Sequence, residues 1–242
     1  MWGMFRGTPW TVNLREALRL TLALPAAVGW RLVPSCCVLC EARGMLPRLD
    51  LCRLCHETLP RDEWIWRAGP PPFNAVLAPW RYRYPVDAMI RALKFHGECS
   101  YARVFGQLLA RERQQLDAAM PDLLVPLPLH PRRRVERGYN QAAELARHAG
   151  RQLRLEVGER WLQRVRPTRE QTSLAARARR ANVHNAFRAD AAVNGRRVAL
   201  LDDVVTTGST AAAAASALLQ AGAAAVELWV VARVSRRDGH QA

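Results

Sequence analysis

The sequence predicts an α/β domain, a parallel sheet core with flanking helices, preceded by a small cysteine-held zinc ribbon. Three observations predict it. From residue 123 onward, short apolar runs compatible with β-structure alternate with helical stretches, the pattern that buries a parallel sheet between helices. One apolar run, at 198–201, leads straight into two carboxylates and a Thr/Gly/Ser turn that opens a helix. Five of the 6 cysteines fall between residues 36 and 55.

The first element, at 20–30 (LTLALPAAVGW), follows Arg15 and Arg19 and imitates an export signal. Glu16 interrupts its basic flank, Pro25 splits its apolar run, and no A-x-A site precedes the cysteines, so a short amphipathic helix in a cytoplasmic protein is expected. Next come Cys37/Cys40 and Cys52/Cys55, two C-x-x-C pairs separated by 11 residues. Each pair places two thiolates on one tight turn, and two turns supply a tetrahedral shell for structural Zn²⁺. Cys36 and His56 are less regular alternative ligands, and a disulfide or redox pair fits a chain without an export signal poorly. Residues 1–60 therefore read as N-terminal helix and ribbon, 61–75 as a Pro-rich linker, and 76–242 as the main domain.

Within that domain, 75–84 alternates like a strand, and 86–95 and 101–116 carry apolar residues at helical spacing on either side of Gly97. Residues 123–129 form the first core strand, 130–138 (HPRRRVERG) a polar loop, and 139–153 a helix. A second strand is expected at 159–165, a long Arg-rich loop at 166–182, a strand at 197–201, a helix at 209–221 and a last strand at 225–231. No apolar run reaches the roughly 18 residues of a membrane span.

The chain carries a net charge of +15, and all but one of its 36 basic residues are Arg, the exception being Lys94. Residues 130–180 hold 14 Arg against 5 Glu, net +9, which is most of the excess. Such a field attracts nucleic acid, phosphorylated metabolites or an anionic surface. The sharpest signal is 198–210, VALLDDVVTTGST. Thr206, Thr207, Gly208, Ser209 and Thr210 offer consecutive N–H groups, hydroxyls and a helix N-terminus, a cradle for phosphate. Asp202 and Asp203 stand just before it, at the strand end where ligands of parallel sheets bind.

This 13-residue run resembles the phosphoribosyl-pyrophosphate (PRPP) signature of type I phosphoribosyltransferases. Together with the double C-x-x-C, VPLPLHPRRRVERGYNQAAELAR at 125–147 and TREQTSLAARARRANVHNAF at 168–187, it makes the chain similar to the ComF family of competence-associated, phosphoribosyltransferase-like proteins from residue 31 to 233. The resemblance implies a type I phosphoribosyltransferase fold. It implies that Asp202 and Asp203 hold the ribose hydroxyls, as the catalytic pair, and that residues 206–210 hold the 5′-phosphate. It also implies that Arg132, Arg133 and Arg134 charge the pyrophosphate loop, with Arg137, Asn140 and Gln141 orienting it and Gln171 and Thr172 in a closing hood. The family's RG-aromatic-NQ run often has Phe or an aliphatic residue where this chain has Tyr139. Lys94, in ALKFHG, is a further expected phosphate contact.

Three functions follow as expectations. One is a Mg²⁺-dependent transferase moving phosphoribosyl between PRPP and an unidentified base or other acceptor, linked to DNA uptake or nucleotide salvage. Another is a non-catalytic PRPP- or nucleotide-binding module working with competence proteins. The last is a single-stranded-DNA handling protein that would stack bases on Trp64 and Trp66.

Overall fold

A computed structural model of the chain describes residues 35–45, 49–62, 67–165 and 186–234. The expected helix at 20–30, the Trp64–Trp66 run and the loop at 166–182, with Gln171 and Thr172, lie outside the described residues.

In chain order the elements are α1 (Arg53–Glu57), β1 (Arg67–Ala68), β2 (Ala75–Leu77), β3 (Trp80–Arg81), α2 (Val86–Phe95), α3 (Cys99–Gln114), β4 (Leu123–Pro126), α4 (Pro131–Arg137), α5 (Gln141–Leu153), β5 (Glu156–Val157), β6 (Leu162–Arg164), β7 (Phe187–Ala189), β8 (Arg197–Val205), α6 (Ser209–Gln220) and β9 (Ala225–Arg233). The main sheet runs β1-β2-β9-β8-β4-β5, with β3 also along β9. Every pairing in it is parallel except β1 with β2. Strands β6 and β7 form a separate antiparallel pair.

Burial on both faces explains why β4, β8 and β9 read as apolar runs rather than alternating ones. Along β8, Ala199 and Leu201 join one cluster with Leu93, Phe105, Leu145 and Trp229 beneath α2, α3 and α5. Val198 and Leu200 join the other, with Phe187, Ala214 and Leu218 beneath α6 and β7. The cysteine ribbon is docked on the first cluster: Cys37, Leu49, Leu51, Cys52 and Leu59 are buried in it. Polar ties reinforce the docking. Arg103 pairs with Asp50, Arg61 Nη1 meets Glu112 at 2.7 Å, and Arg233 grips Asp62 at 2.9 and 3.1 Å.

Three local expectations change. The polar loop at 130–138 contains a helix, α4, because Pro131 suits its first turn, His130 Nδ1 accepts the Arg132 N–H at 3.2 Å, and Gly138, at φ +77°, closes it. The single strand expected at 75–84 is split into β2 and β3, which pair with β9 at separate registers, with Pro79 between them. The strand expected at 159–165 is the three-residue β6, paired with β7 rather than with the core, whose edge is the two-residue β5.

Strand order fixes where a ligand belongs. From β4 the chain crosses through α5 to β5 on one side, whereas β8 lies on the other side of β4. The order therefore reverses between β4 and β8, and the crevice beyond their carboxyl ends is the binding position such sheets offer.

Candidate functional site

Two chain segments meet at that crevice. The first leaves β4 and is pinned by Asn140, whose Nδ2 donates to the Leu127 carbonyl at 3.1 Å while its Oδ1 accepts the Ala142 N–H at 3.0 Å and caps α5. One side chain thus fixes both ends of the turn that carries α4. Gln141, beside it, is buried. Arg132, Arg133 and Arg134 are all exposed on α4, and Arg133 shares a cavity with Arg137. His130 is spent as the helix cap.

The second segment follows β8. Gly208 adopts φ +73°, a left-handed conformation that a side chain would strain, and α6 starts directly after it. Gly208 itself has no side chain to cap that helix end, and the Ser209 N–H makes only a long contact, 3.5 Å, to Thr207 Oγ1. The first N–H groups of α6 are therefore at most weakly engaged and can turn to an anion. Thr206, Thr207, Ser209 and Thr210 surround the turn and are exposed, with the Thr207 and Ser209 hydroxyls 3.1 Å apart.

The adjacent carboxylates have different surroundings. Asp203 is buried; its Oδ1 lies 3.0 Å from Lys94 Nζ, and its Oδ2 has no hydrogen-bond partner among the described residues. Asp202 is half-buried and accepts the Asp203 N–H at 2.8 Å. Burial, and then the neighbouring Asp203 charge, push the Asp202 carboxyl up to about 7, against the opposing pull of the Asp203 N–H and Lys94. Because the folded value lies above the unfolded one, the folded carboxyl keeps its proton over a pH range in which the unfolded chain has already lost it, and stability falls across that range. The stability fully present below about pH 4 is lost as pH rises through about 7. Asp202→Asn should match the parent in denaturant melts at pH 4 and gain on the order of 2 kcal/mol at pH 8. Equal stability at both pH values would remove the charge from the account.

The pairing of Lys94 with Asp203 was not legible from the sequence, which pointed Lys94 at phosphate directly. A cavity of about 470 Å³ adjoins this lysine, lined by Tyr82, Lys94, Phe95, Gly97, Arg133, Glu136, Arg137 and Tyr139. Sequence reasoning missed Tyr82, Phe95 and Glu136; the retained Lys in ALKFHG was the one signal near them.

The ribbon brings Cys37, Cys40, Cys52 and Cys55 together, with all four Sγ atoms within 4.8 Å of one another. Cys40 Sγ and Cys52 Sγ are 3.6 Å apart. A tetrahedron with Zn–S bonds of ~2.3 Å has sulfur–sulfur edges of ~3.8 Å, so the four thiols fit a zinc ion. Neither Cys36 nor His56 belongs to the cluster.

A mostly parallel sheet with flanking helices, two carboxylates and a helix N-terminus at its reversal point, and a four-cysteine ribbon docked on the core define an α/β protein with an N-terminal cysteine ribbon. No family model matches the chain. It is 35% identical over 206 residues to the DNA utilization protein YhgH of Salmonella typhi, spanning 81% of this chain and 89% of that one. It is 28% identical over 222 residues to competence protein F of Haemophilus influenzae, spanning 81% and 96%. The chain belongs to the ComF family. Among solved structures it aligns with the B. subtilis glutamine PRPP amidotransferase complexed with ADP and GMP, at 21% identity and TM-score 0.38, over 53% of this chain and 25% of that one. No helix among the described residues is long and apolar enough to cross a membrane.

Proposed function

We propose that the crevice between β4 and β8 binds PRPP and that the protein transfers phosphoribosyl to or from a base or other acceptor, with pyrophosphate as the other partner. The observation that carries this reading is the Asp202–Asp203 pair running into the weakly capped start of α6 at the point where strand order reverses. In this reading residues 206–210 hold the 5′-phosphate through N–H groups and hydroxyls. Asp202 accepts from the ribose hydroxyls, and Asp203, steadied by Lys94, meets them with its remaining oxygen. Breaking the C1′–O bond leaves positive charge on the sugar and negative charge on the departing diphosphate. The Arg-bearing segment after β4, with Arg132, Arg133 and Arg134, stabilises the diphosphate as it leaves, and Asn140 keeps that segment in place. Mg²⁺ arriving with PRPP would supply charge neutralisation for the diphosphate beside Asp202 and Asp203. Zn²⁺, held by Cys37, Cys40, Cys52 and Cys55, is structural, because four thiolates leave no open coordination position. The names of the relatives support a setting in DNA uptake or reuse of DNA-derived nucleotides.

Millimolar PRPP with Mg²⁺ should raise the melting temperature by several degrees, and Asp202→Asn should abolish the shift. No shift in the parent protein would overturn the binding claim. Pyrophosphate release in the presence of a panel of bases separates a transferase from a PRPP-binding module, since the module would bind without release.

A further inference from the structure

The cavity beside Lys94 has aromatic walls that the PRPP reading does not use. Its volume, about 470 Å³, lies within the size range of small-molecule sites. Three of its walls are aromatic (Tyr82, Phe95 and Tyr139), and three carry positive charge (Lys94, Arg133 and Arg137) against the single acid Glu136. Two of the lining residues each carry a donor closed off from solvent and without a hydrogen-bond partner among the described residues: Arg137 Nη1 and the Tyr139 hydroxyl. Burial pushes the Tyr139 hydroxyl up, so it stays protonated and able to donate at neutral pH. A buried donor left unsatisfied costs the fold free energy, and in native proteins such groups are commonly matched by a ligand or water. Both unmatched groups donate, so the matching ligand must accept, and with the surrounding charge that means an oxyanion.

The ring walls say what the oxyanion is attached to. The Arg137 guanidinium carbon lies 5.1 Å from the Phe95 ring centroid, so the aromatic ring helps to fix the donor. Phe95 nevertheless remains 67% exposed, an unusually open position for a large apolar side chain. Inorganic phosphate would leave these rings uncovered, and a neutral ring would leave the two donors unmatched. We propose that the cavity is a binding site for a planar ring bearing an oxyanion, carboxylate or phosphate ester. The anion is held by Arg137 and Tyr139, and the ring is packed against Phe95. Lys94, which lines the cavity and bonds Asp203, places this ligand next to the carboxylate pair.

Calorimetric titration of the full chain, without PRPP or Mg²⁺ so that the outcome is independent of the reading above, tests the site. The probes are 2-naphthoate, 1-naphthyl phosphate, the neutral 2-naphthamide and inorganic phosphate. At least one ring anion should bind, with the amide and inorganic phosphate each tenfold weaker or more; which ring anion binds tells carboxylate from phosphate ester. Tyr139→Phe should weaken that binding about tenfold and Arg137→Gln should remove it, while both variants keep the parent's melting temperature within about 2 °C. Failure of both ring anions to bind, inorganic phosphate binding as tightly as they do, or parent-like binding by both variants would overturn the proposal.

Discussion

Cys52→Ser should lower the melting temperature by roughly 10 °C or more and remove the bound metal, because structural zinc sites supply folding free energy outright. Metal analysis of the parent protein should give about one equivalent of zinc, and of the variant none. The reason for so large an effect is the position of the ribbon. Cys37 and Cys52 are 2% and 8% exposed, and they pack in the same apolar cluster as Leu93, Phe105 and Trp80. Loss of the ribbon would uncover that face of the main domain and release Asp50 from Arg103 and Val38 from Tyr101. Serine is nearly isosteric, so the change tests metal ligation rather than packing. Cys99→Ser is the control: that residue is exposed at the start of α3, outside the thiol cluster, and its replacement should leave stability and zinc content unchanged. An equivalent of zinc retained in Cys52→Ser, with an unaltered melting temperature, would dismiss the site.

How much of this was legible in the sequence depends on the range of the interaction. The parallel core was readable because β4, β8 and β9 are buried on both faces and so appear as predominantly apolar runs rather than alternating ones, interrupted at Asp202–Asp203 in β8 and at Glu227 in β9. The thiol cluster was readable because C-x-x-C geometry is local. The helix α4 was not, since Arg-rich composition hides its apolar rhythm and its stability rests on caps: His130 at one end and Gly138 at the other. Strands as short as β5 carry no periodicity at all; tertiary pairing with Leu123 and Leu124 creates it. In the site, the motif around Asp202 and Gly208 was legible as a contiguous run. The partners that differentiate the two carboxylates were not, because Lys94 reaches Asp203 from a helix distant in the chain. The cavity wall is a still longer-range product, joining residues that follow β3, end α2 and lie on and after α4.

Glu227→Gln should destabilise the protein by about 3–5 kcal/mol, the usual cost of leaving one partner of a buried ion pair uncompensated. Glu227 is the third residue of β9 and is 2% exposed; Arg113, from the last turn of α3, is fully buried beside it. Their closest atoms, Nε and Oε2, are 3.4 Å apart, and the same Oε2 accepts the Trp229 indole N–H at 3.0 Å. The guanidinium is further satisfied by the carbonyls of Ala118 and Ala119, so the pair ties the turn after α3 to a central strand. Gln keeps the shape and can still accept from Trp229, but it removes the charge that offsets Arg113 in a low-dielectric interior. Arg197, 3.7 Å from Oε1, is partly exposed and can take up water instead. The double variant Arg113→Met/Glu227→Leu should recover most of the loss, because an apolar pair needs no compensation and the surrounding cluster is already apolar. Urea melts of the parent, Arg113→Met, Glu227→Leu and the double variant form a cycle that isolates the pair energy. Were the double variant as unstable as the sum of the single ones, the two charges would be acting independently, and their role would be packing rather than pairing.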